Sequence, residues 1–343
     1  ASMFKGCSKL TSLDMSGFDT SSVTSMTAMF ADCSSLSTLD LSGFNTSQVT
    51  DMSNLFSFCS SLASLDLSGL DTSEVEDMTH MFLGCSELTT LDLTSFDTSM
   101  AKSMDYMFYD CSSLKSVSLS QKFSFTGRGI TRLCKLPKPL EKKGCTGLWV
   151  SATDGMTYAP DEIPNYVAAT YTAQIAFPDV DYSDWYGDAI SFVSAKGLIT
   201  GYTDGEKAGF FGVGDTLTRA QFATILWRNA CPDEYASYDP ETAVDTTGIT
   251  GSADGMYYTA AANWAVKNGV ITGFDREDGT KDFAADDDVS FEQLITILSR
   301  LCATDDELAA AGSDLSAFAD GYLASDWSHG AFAWAAAKGL VQG

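Results

Sequence analysis

Basic residues are scarce in this chain, with 20 lysines and arginines against 46 aspartates and glutamates over 343 residues, a net charge of -26. A nucleic-acid binder needs a basic face, so the balance argues against that class. Histidine is scarcer still: His80 and His329 are the only two, and each reads as a surface residue rather than a base or a ligand. No stretch approaches the roughly 20 apolar residues that span a bilayer. The opening ASMFKGCSKL lacks the charged-then-apolar layout of a signal peptide. Also missing are a G-x-S-x-G elbow, a G-x-x-x-x-G-K-[ST] phosphate loop and H-E-x-x-H. Without C-x-x-C, structural zinc is not expected, and the acidic runs DREDGTKD and AADDDVS do not keep the spacing of an EF-hand. Carboxylates are plentiful, but no position singles out a catalytic pair. The expectation is a protein with no catalytic, cofactor or metal residues, hence not an enzyme.

What is present is period. Cys7, Cys33, Cys59, Cys85 and Cys111 recur every 26 residues, in step with Phe4, Phe30, Phe56, Phe82 and Phe108 and with Leu10, Leu36, Leu62, Leu88 and Leu114. One such unit cannot bury its apolar side alone, so stacked units must share a core. Within a unit, L-x-x-L-D-L-S alternates as a short strand, while V-T-x-M-x-x-M-F has helical spacing. The D-T-S that joins them, as at Asp19, suits an Asx turn or a helix N-cap. The cysteine column reads as small buried thiols. Cys134 and Cys145 lie outside the period and leave a disulfide open if the compartment is oxidising. The strand face should display Ser12, Asp14, Thr38, Asp40, Ser64, Asp66, Thr90 and Asp92, either as a binding surface for a basic or hydroxyl-rich partner or as a solvated polar face.

Charge marks the boundaries: residues 1–120 carry -11, residues 121–176 carry +3 and residues 177–343 carry -18. The repeat MF-x-x-C-S-x-L-x-x-LDLS-x-FDTS-x-V-T-x-M resembles the 26-residue bacterial surface repeat, a leucine-rich repeat type of the BspA-like family. The resemblance implies an α/β leucine-rich-repeat solenoid of short parallel strands with helical returns over 1–120. It also implies a surface role in adhesion to host matrix or cell-surface proteins and glycoproteins. A solenoid end exposes core, so 121–176 is expected to be a small β-rich cap or linker, with a family-like G-x-T-G-x-W-V at Gly144 to Val150.

The C-terminal half repeats too. WYGDAISFVSAKGLITG from Trp185 and YYTAAANWAVKNGVITG from Tyr257 align at an offset of 72 residues, and a partial third copy begins at Asp326. Gly197, Gly269 and Gly339 sit where a left-handed C-cap belongs, and Thr218 with Gln221 and Ser290 with Gln293 make capping boxes. Each copy therefore reads as a helical hairpin. The pattern F-P-D-V…D-W-Y…G-L-I-T-G…L-T-R-A-Q-F resembles the S-layer homology module, with copies at 177–231, 244–302 and, truncated, 318–343. That family holds proteins on bacterial walls through a secondary, often pyruvylated, polysaccharide. By resemblance the polymer contacts are Asp179, Trp185, Gly201 and Arg219, with Asp320 and Trp327 in the third copy. Arg219 opens a helix, where free N–H groups and the guanidinium together would hold an anion. The second copy has Phe291 in place of that arginine and Tyr257 in place of the tryptophan, so its pocket should be weak or silent.

These readings combine into a secreted, non-enzymatic protein of a bacterial cell wall or S-layer, anchored through its modules, with the repeats as adhesin or protein-interaction surface. A structural coat component with the repeats as a spacer, or the non-catalytic fragment of a wall-polysaccharide enzyme, are the alternatives. The first repeat begins mid-unit and the third module stops before its second helix, so a fragment of a longer chain, with the signal peptide outside it, is expected.

Overall fold

The computed structural model describes residues 1–15, 17–128, 133–141 and 144–341. Gln342 and Gly343, which end the third copy, lie outside the described residues. The chain divides into two compact units, 1–213 and 214–343, and the division falls between the two helices read for the first copy.

In the first unit, consecutive repeats lie in parallel register at the 26-residue offset. Strands β1 (Ser12–Leu13) and β2 (Thr38–Leu39) pair Ser12 with Thr38, and β3 (Thr90–Leu93) and β4 (Ser116–Leu119) pair Thr90 with Ser116. Parallel bridges link Ser25, Asp51, Asp77 and Ser103 in the same way. The core is a set of ladders: Phe4, Phe30, Phe56, Phe82 and Phe108 stack ring on ring at 5.7 to 6.0 Å. Cys33, Cys59, Cys85 and Cys111 each donate the thiol to the carbonyl of the phenylalanine one coil back, as Cys59 does to Phe30 at 3.1 Å. Burial raises the pKa of these thiols, Cys111 to about 12, so they stay protonated and act as packing groups. In the D-T-S column, Asp71 accepts from the Ser73 N–H as an Asx turn. Thr72, fully buried, donates to the Asp97 carbonyl and accepts from the Asp97 N–H, a reciprocal pair that ties coil to coil.

The helical return is a correction. Among the described residues before Gly187 there is no α-helix. The M-x-x-M-F stretch instead runs as linked turns with two left-handed residues per coil, at Ala28, Asn54, His80 and Tyr106 and, four residues on, at Asp32, Phe58, Gly84 and Asp110. Amide donors alternate. The N–H groups of Met29, Ala31 and Cys33 close turns onto residues three back, while those of Ala28, Phe30 and Asp32 donate to Ser53, Leu55 and Ser57 of the next coil. A helix would send every N–H back along its own chain; here half of them cross to the neighbouring coil, and the backbone is satisfied by stacking.

Past the repeats, Phe123 and Phe125 pack on Phe108 and end the aromatic ladder. Three further strands, β5 (Cys145–Ser151), β6 (Thr157–Tyr158) and β7 (Ala169–Ile175), extend the sheet in the order β3-β4-β7-β5-β6, with β7 antiparallel along the free edge of β4. That edge would otherwise expose unpaired amides. Trp149 is fully buried, with its indole N–H on the Pro137 carbonyl. Cys134 is buried, and no disulfide joins it to Cys145. Helix α1 (Gly187–Ala195) packs on β5 and β7, where Gln174 bonds the Ser191 hydroxyl at 2.6 Å.

The second unit is mainly helical: α2 (Arg219–Ala230), α3 (Pro232–Ala236), α4 (Thr259–Lys267), α5 (Phe291–Cys302), α6 (Asp305–Ala311) and α7 (His329–Ala337). Both capping boxes read from the sequence are formed, at Thr218/Gln221 and Ser290/Gln293, and Thr304/Glu307 adds one that was not read. Alanines 220 and 223 of α2 and 261, 262 and 265 of α4 are buried, small enough to bring the two helices close. A short ribbon, β8 (Phe274–Asp275) with β9 (Lys281–Asp282), interrupts the helices. It forms one wall of the depression beside Arg219.

Candidate functional site

The residues named from the sequence separate into two kinds of setting. In the first unit, both carboxylate oxygens of Asp179 are committed to backbone N–H groups: Phe211 at 2.8 Å, Gly212 at 2.7 Å and Val213 at 3.0 Å. Burial would raise the Asp179 pKa, but the three donors outweigh it and hold the group below the usual carboxylate range. Gly201 has φ +73°, and a Cβ there would meet the Phe210 carbonyl oxygen at 2.4 Å, so glycine is required by close backbone approach. Trp185 is 88% exposed and touches Tyr186 edge-on.

The Asp179 geometry fixes a pH dependence. A carboxylate whose folded pKa lies below its unfolded value of about 3.9 adds stability that is present above that unfolded value. The gain is lost as pH falls through the folded pKa. Asp179→Asn should therefore lower the thermal midpoint at neutral pH by several degrees, with the gap to the parent closing in acid. Melting curves from pH 7 down to pH 3 read this directly, and a gap that widened in acid would contradict it.

In the second unit, Arg219 is only 4% exposed. Its guanidinium carbon lies 4.4 Å from the Phe274 ring centroid, and its Nε donates to the Phe283 carbonyl at 2.7 Å. Burial lowers its pKa, nearby Asp287 opposes this and Arg300 adds to it. The free helix amides expected beside it are not there. Arg219 N–H donates to the Asp287 carbonyl, Ala220 N–H to that of Ala285, and Gln221 N–H to the Thr218 hydroxyl. An anion would be held here by side chains, not by a helix terminus.

Those side chains come from different copies. Arg219 borders a depression of about 400 Å³ together with Lys281, Thr296, Arg300 and Trp327. Thr296 is 7% exposed and its hydroxyl has no hydrogen-bond partner. Among the described residues neither guanidinium is in an ion pair, while Lys281 is held by Asp275 at 2.8 Å. Trp327 is 56% exposed and offers a ring at the rim. The structure thus brings Arg219 and Trp327 together, and it places Asp320 in a different cavity. Sequence reasoning missed Thr296, Arg300 and Lys281: the first two lie on α5, which carries Phe291 where the first copy has its arginine, and Lys281 lies on β9.

On the strand face of the first unit, Ser12, Asp14, Thr38, Asp40, Ser64, Asp66, Thr90 and Asp92 are all exposed. Asp40, Asp66 and Asp92 each accept the N–H two residues on, at 2.9 Å. For Asp40 and Asp66 these bonds hold the pKa below the ordinary value; at Asp40 they do so against the repulsion of Asp14 and Asp66. Asp40 and Asp66 therefore stay charged at neutral pH, and the local role of these two carboxylates and of Asp92 is to close turns.

No curated protein matches this chain. Residues 1–122 match a family described as "Mycoplasma protein of unknown function, DUF285", and residues 176–223 match the S-layer homology domain. S-layer homology domains are wall-associating, polysaccharide-binding modules. Among the described residues no helix is long and apolar enough to cross a membrane. The S-layer homology match at residues 176–223 indicates a cell-surface protein that associates with the wall.

Proposed function

We propose that the chain is a non-enzymatic wall-anchored adhesin. Its C-terminal helical unit binds an anionic secondary wall polysaccharide in the depression beside Arg219, and its repeats form a leucine-rich solenoid whose exposed Ser/Thr/Asp strand face meets a host or cell-surface protein or glycoprotein. One observation carries the anchoring half: two guanidiniums without ion-pair partners among the described residues share a depression with a buried, unbonded hydroxyl. An acidic polymer supplies an anionic acceptor, which none of the three has among the described residues. Trp327 at the rim suits the apolar face of a sugar ring. The polysaccharide reading of Asp179 and Gly201 finds less support, because both are occupied in holding loops.

The test is co-sedimentation of the chain with purified wall sacculi before and after acid removal of their secondary polymer. Pelleting should disappear with the polymer. Arg300→Gln, an exposed change, should weaken it about tenfold, the loss of one charge-assisted contact. Thr296→Val should also weaken binding while raising the thermal midpoint, since it removes a buried hydroxyl whose missing partner costs about 1 to 3 kcal/mol. Pelleting indifferent to both the extraction and Arg300→Gln would remove this reading. Binding of the repeat unit that vanishes in moderate salt would count against the adhesin half.

A further inference from the structure

We infer that the turn stretches of the repeat unit form a docking surface for arginine side chains of a basic partner, with the Phe58 ring as platform between the carboxylates of Asp32 and Asp110. Asp32, Phe58, Gly84 and Asp110 occupy one column at the 26-residue offset, on four successive coils about 4.8 Å apart. All four have left-handed backbone, with φ from 58° to 71°. Glycine and aspartate tolerate that region, whereas for a bulky phenylalanine it is a cost.

Burial does not account for the ring, because Phe58 is 50% exposed. His80 and Tyr106, also in left-handed backbone on these coils, stack on each other at 5.7 Å, while no ring stacks on Phe58 among the described residues. A Cβ at Gly84 would meet Phe58 Cδ1 at 2.6 Å and Cε1 at 2.9 Å, so the ring lies across that glycine and keeps its other face open. Charge selects the occupant. Asp32 and Asp110 are exposed, and neither side chain has a hydrogen bond or ion pair among the described residues. Between Lys9 and Lys102 the chain has thirteen acidic residues and no lysine or arginine, so these coils carry no cation of their own to neutralise Asp32. A guanidinium answers ring and carboxylate together: its plane lies on an aromatic face through the quadrupole, and its N–H groups fork to an anion. An ammonium has the charge without the plane. A proline or sugar ring has the flat apolar face without the charge. This surface is separate from the Ser/Thr/Asp strand face, so it stands or falls independently of the adhesin reading.

The test follows a labelled peptide with two arginines among glycines by fluorescence anisotropy as the full chain is added at about 0.15 M salt, beside versions with lysine, citrulline or proline in their place. The arginine peptide should bind at least about tenfold more tightly than the citrulline and proline peptides, and at least about threefold more tightly than the lysine peptide. Phe58→Asn should abolish the preference over lysine without lowering the thermal midpoint, since asparagine suits left-handed backbone. Asp110→Asn should weaken arginine binding about threefold or more. Asp66→Asn, on the strand face, keeps its turn acceptor and should leave binding unchanged. No binding of the arginine peptide, equal binding of the lysine, citrulline or proline version, or binding untouched by Phe58→Asn overturns the site. Equal losses in Asp66→Asn and Asp110→Asn also overturn it, because the attraction would then belong to the acidic repeats as a whole. So does a clearly lower midpoint in Phe58→Asn, which would assign the ring to folding.

Discussion

Phe82→Ala should abolish cooperative folding of the repeat unit at physiological temperature or lower its denaturant midpoint severely. Phe82 is fully buried and lies between Phe56 and Phe108, at 5.7 and 6.0 Å. Truncating a buried phenylalanine costs about 3 to 5 kcal/mol in transfer and cavity terms, a large share of the 5 to 15 kcal/mol that holds a domain. Stacked coils make the loss worse in one respect. Each unit is stable only through its neighbours, so a weakened interface in the middle uncouples the coils on either side. Phe4 is the comparison: it is half-buried and has a single stacked partner, Phe30, so Phe4→Ala should cost clearly less. Urea unfolding of both variants checks this; equal midpoints would mean that the ladder does not transmit stability along the stack.

The repeat period was fully legible because it is written in identities: cysteine, phenylalanine and leucine at one spacing need no structural knowledge. The turn chemistry of Asp71 and its equivalents was legible too, since Asx turns are local. The path between the strands was not. Apolar residues at Met26, Met29, Phe30 and Cys33 fit one face of a helix, but they fit a run of linked turns equally well. What separates the two is the sign of φ at two positions per coil. Part of that signal was on view, because Gly6, Asp32, Asn54, Gly84 and Asp110 are residue types that tolerate the left-handed region. Ala28, Phe58 and His80 hid it, being held there by the i-to-i+25 bonds between coils, and so did Tyr106, whose N–H donates to the Leu133 carbonyl past the repeats; the cost is one that only stacking offsets. In the helical unit, caps and glycine stops were read correctly because they too are local.

The candidate site was legible only in part. Arg219 could be chosen from its motif, but a sequence cannot tell which amides around it are taken, and the tertiary contacts with Asp287 and Ala285 remove the helix terminus from the chemistry. Asp179 and Gly201 had the same motif support, yet they serve loop closure. Both roles call for the same residue types, a carboxylate facing donors and a glycine at close approach. Thr296 was beyond reach, since nothing in a chain marks one threonine hydroxyl as unbonded.

Arg219→Ala should act on stability and wall binding together, which sets it apart from Arg300→Gln. Removing the side chain loses the Nε–H bond to Phe283 and leaves that carbonyl, on a fully buried residue, without this donor. The stacking on Phe274 goes with it. Set against the relief of a desolvated charge near Arg300, the balance should be about 2 to 4 kcal/mol of lost stability. Binding to sacculi should fall more than tenfold even where the variant is still folded, because a depression with Arg300 as its one unpaired cation no longer brackets an anion. Arg219→Lys separates the two effects. An ammonium keeps the charge but cannot fork between Phe283 and a ligand, nor lie flat on Phe274. The lysine variant should therefore regain only part of the binding, and at low ionic strength most of all. Thermal melts paired with sedimentation across a salt series measure both. If Arg219→Lys bound as the parent does at every salt concentration, the arginine would be a charge and nothing more, and the planar contacts with Phe274 and Phe283 would belong to folding alone.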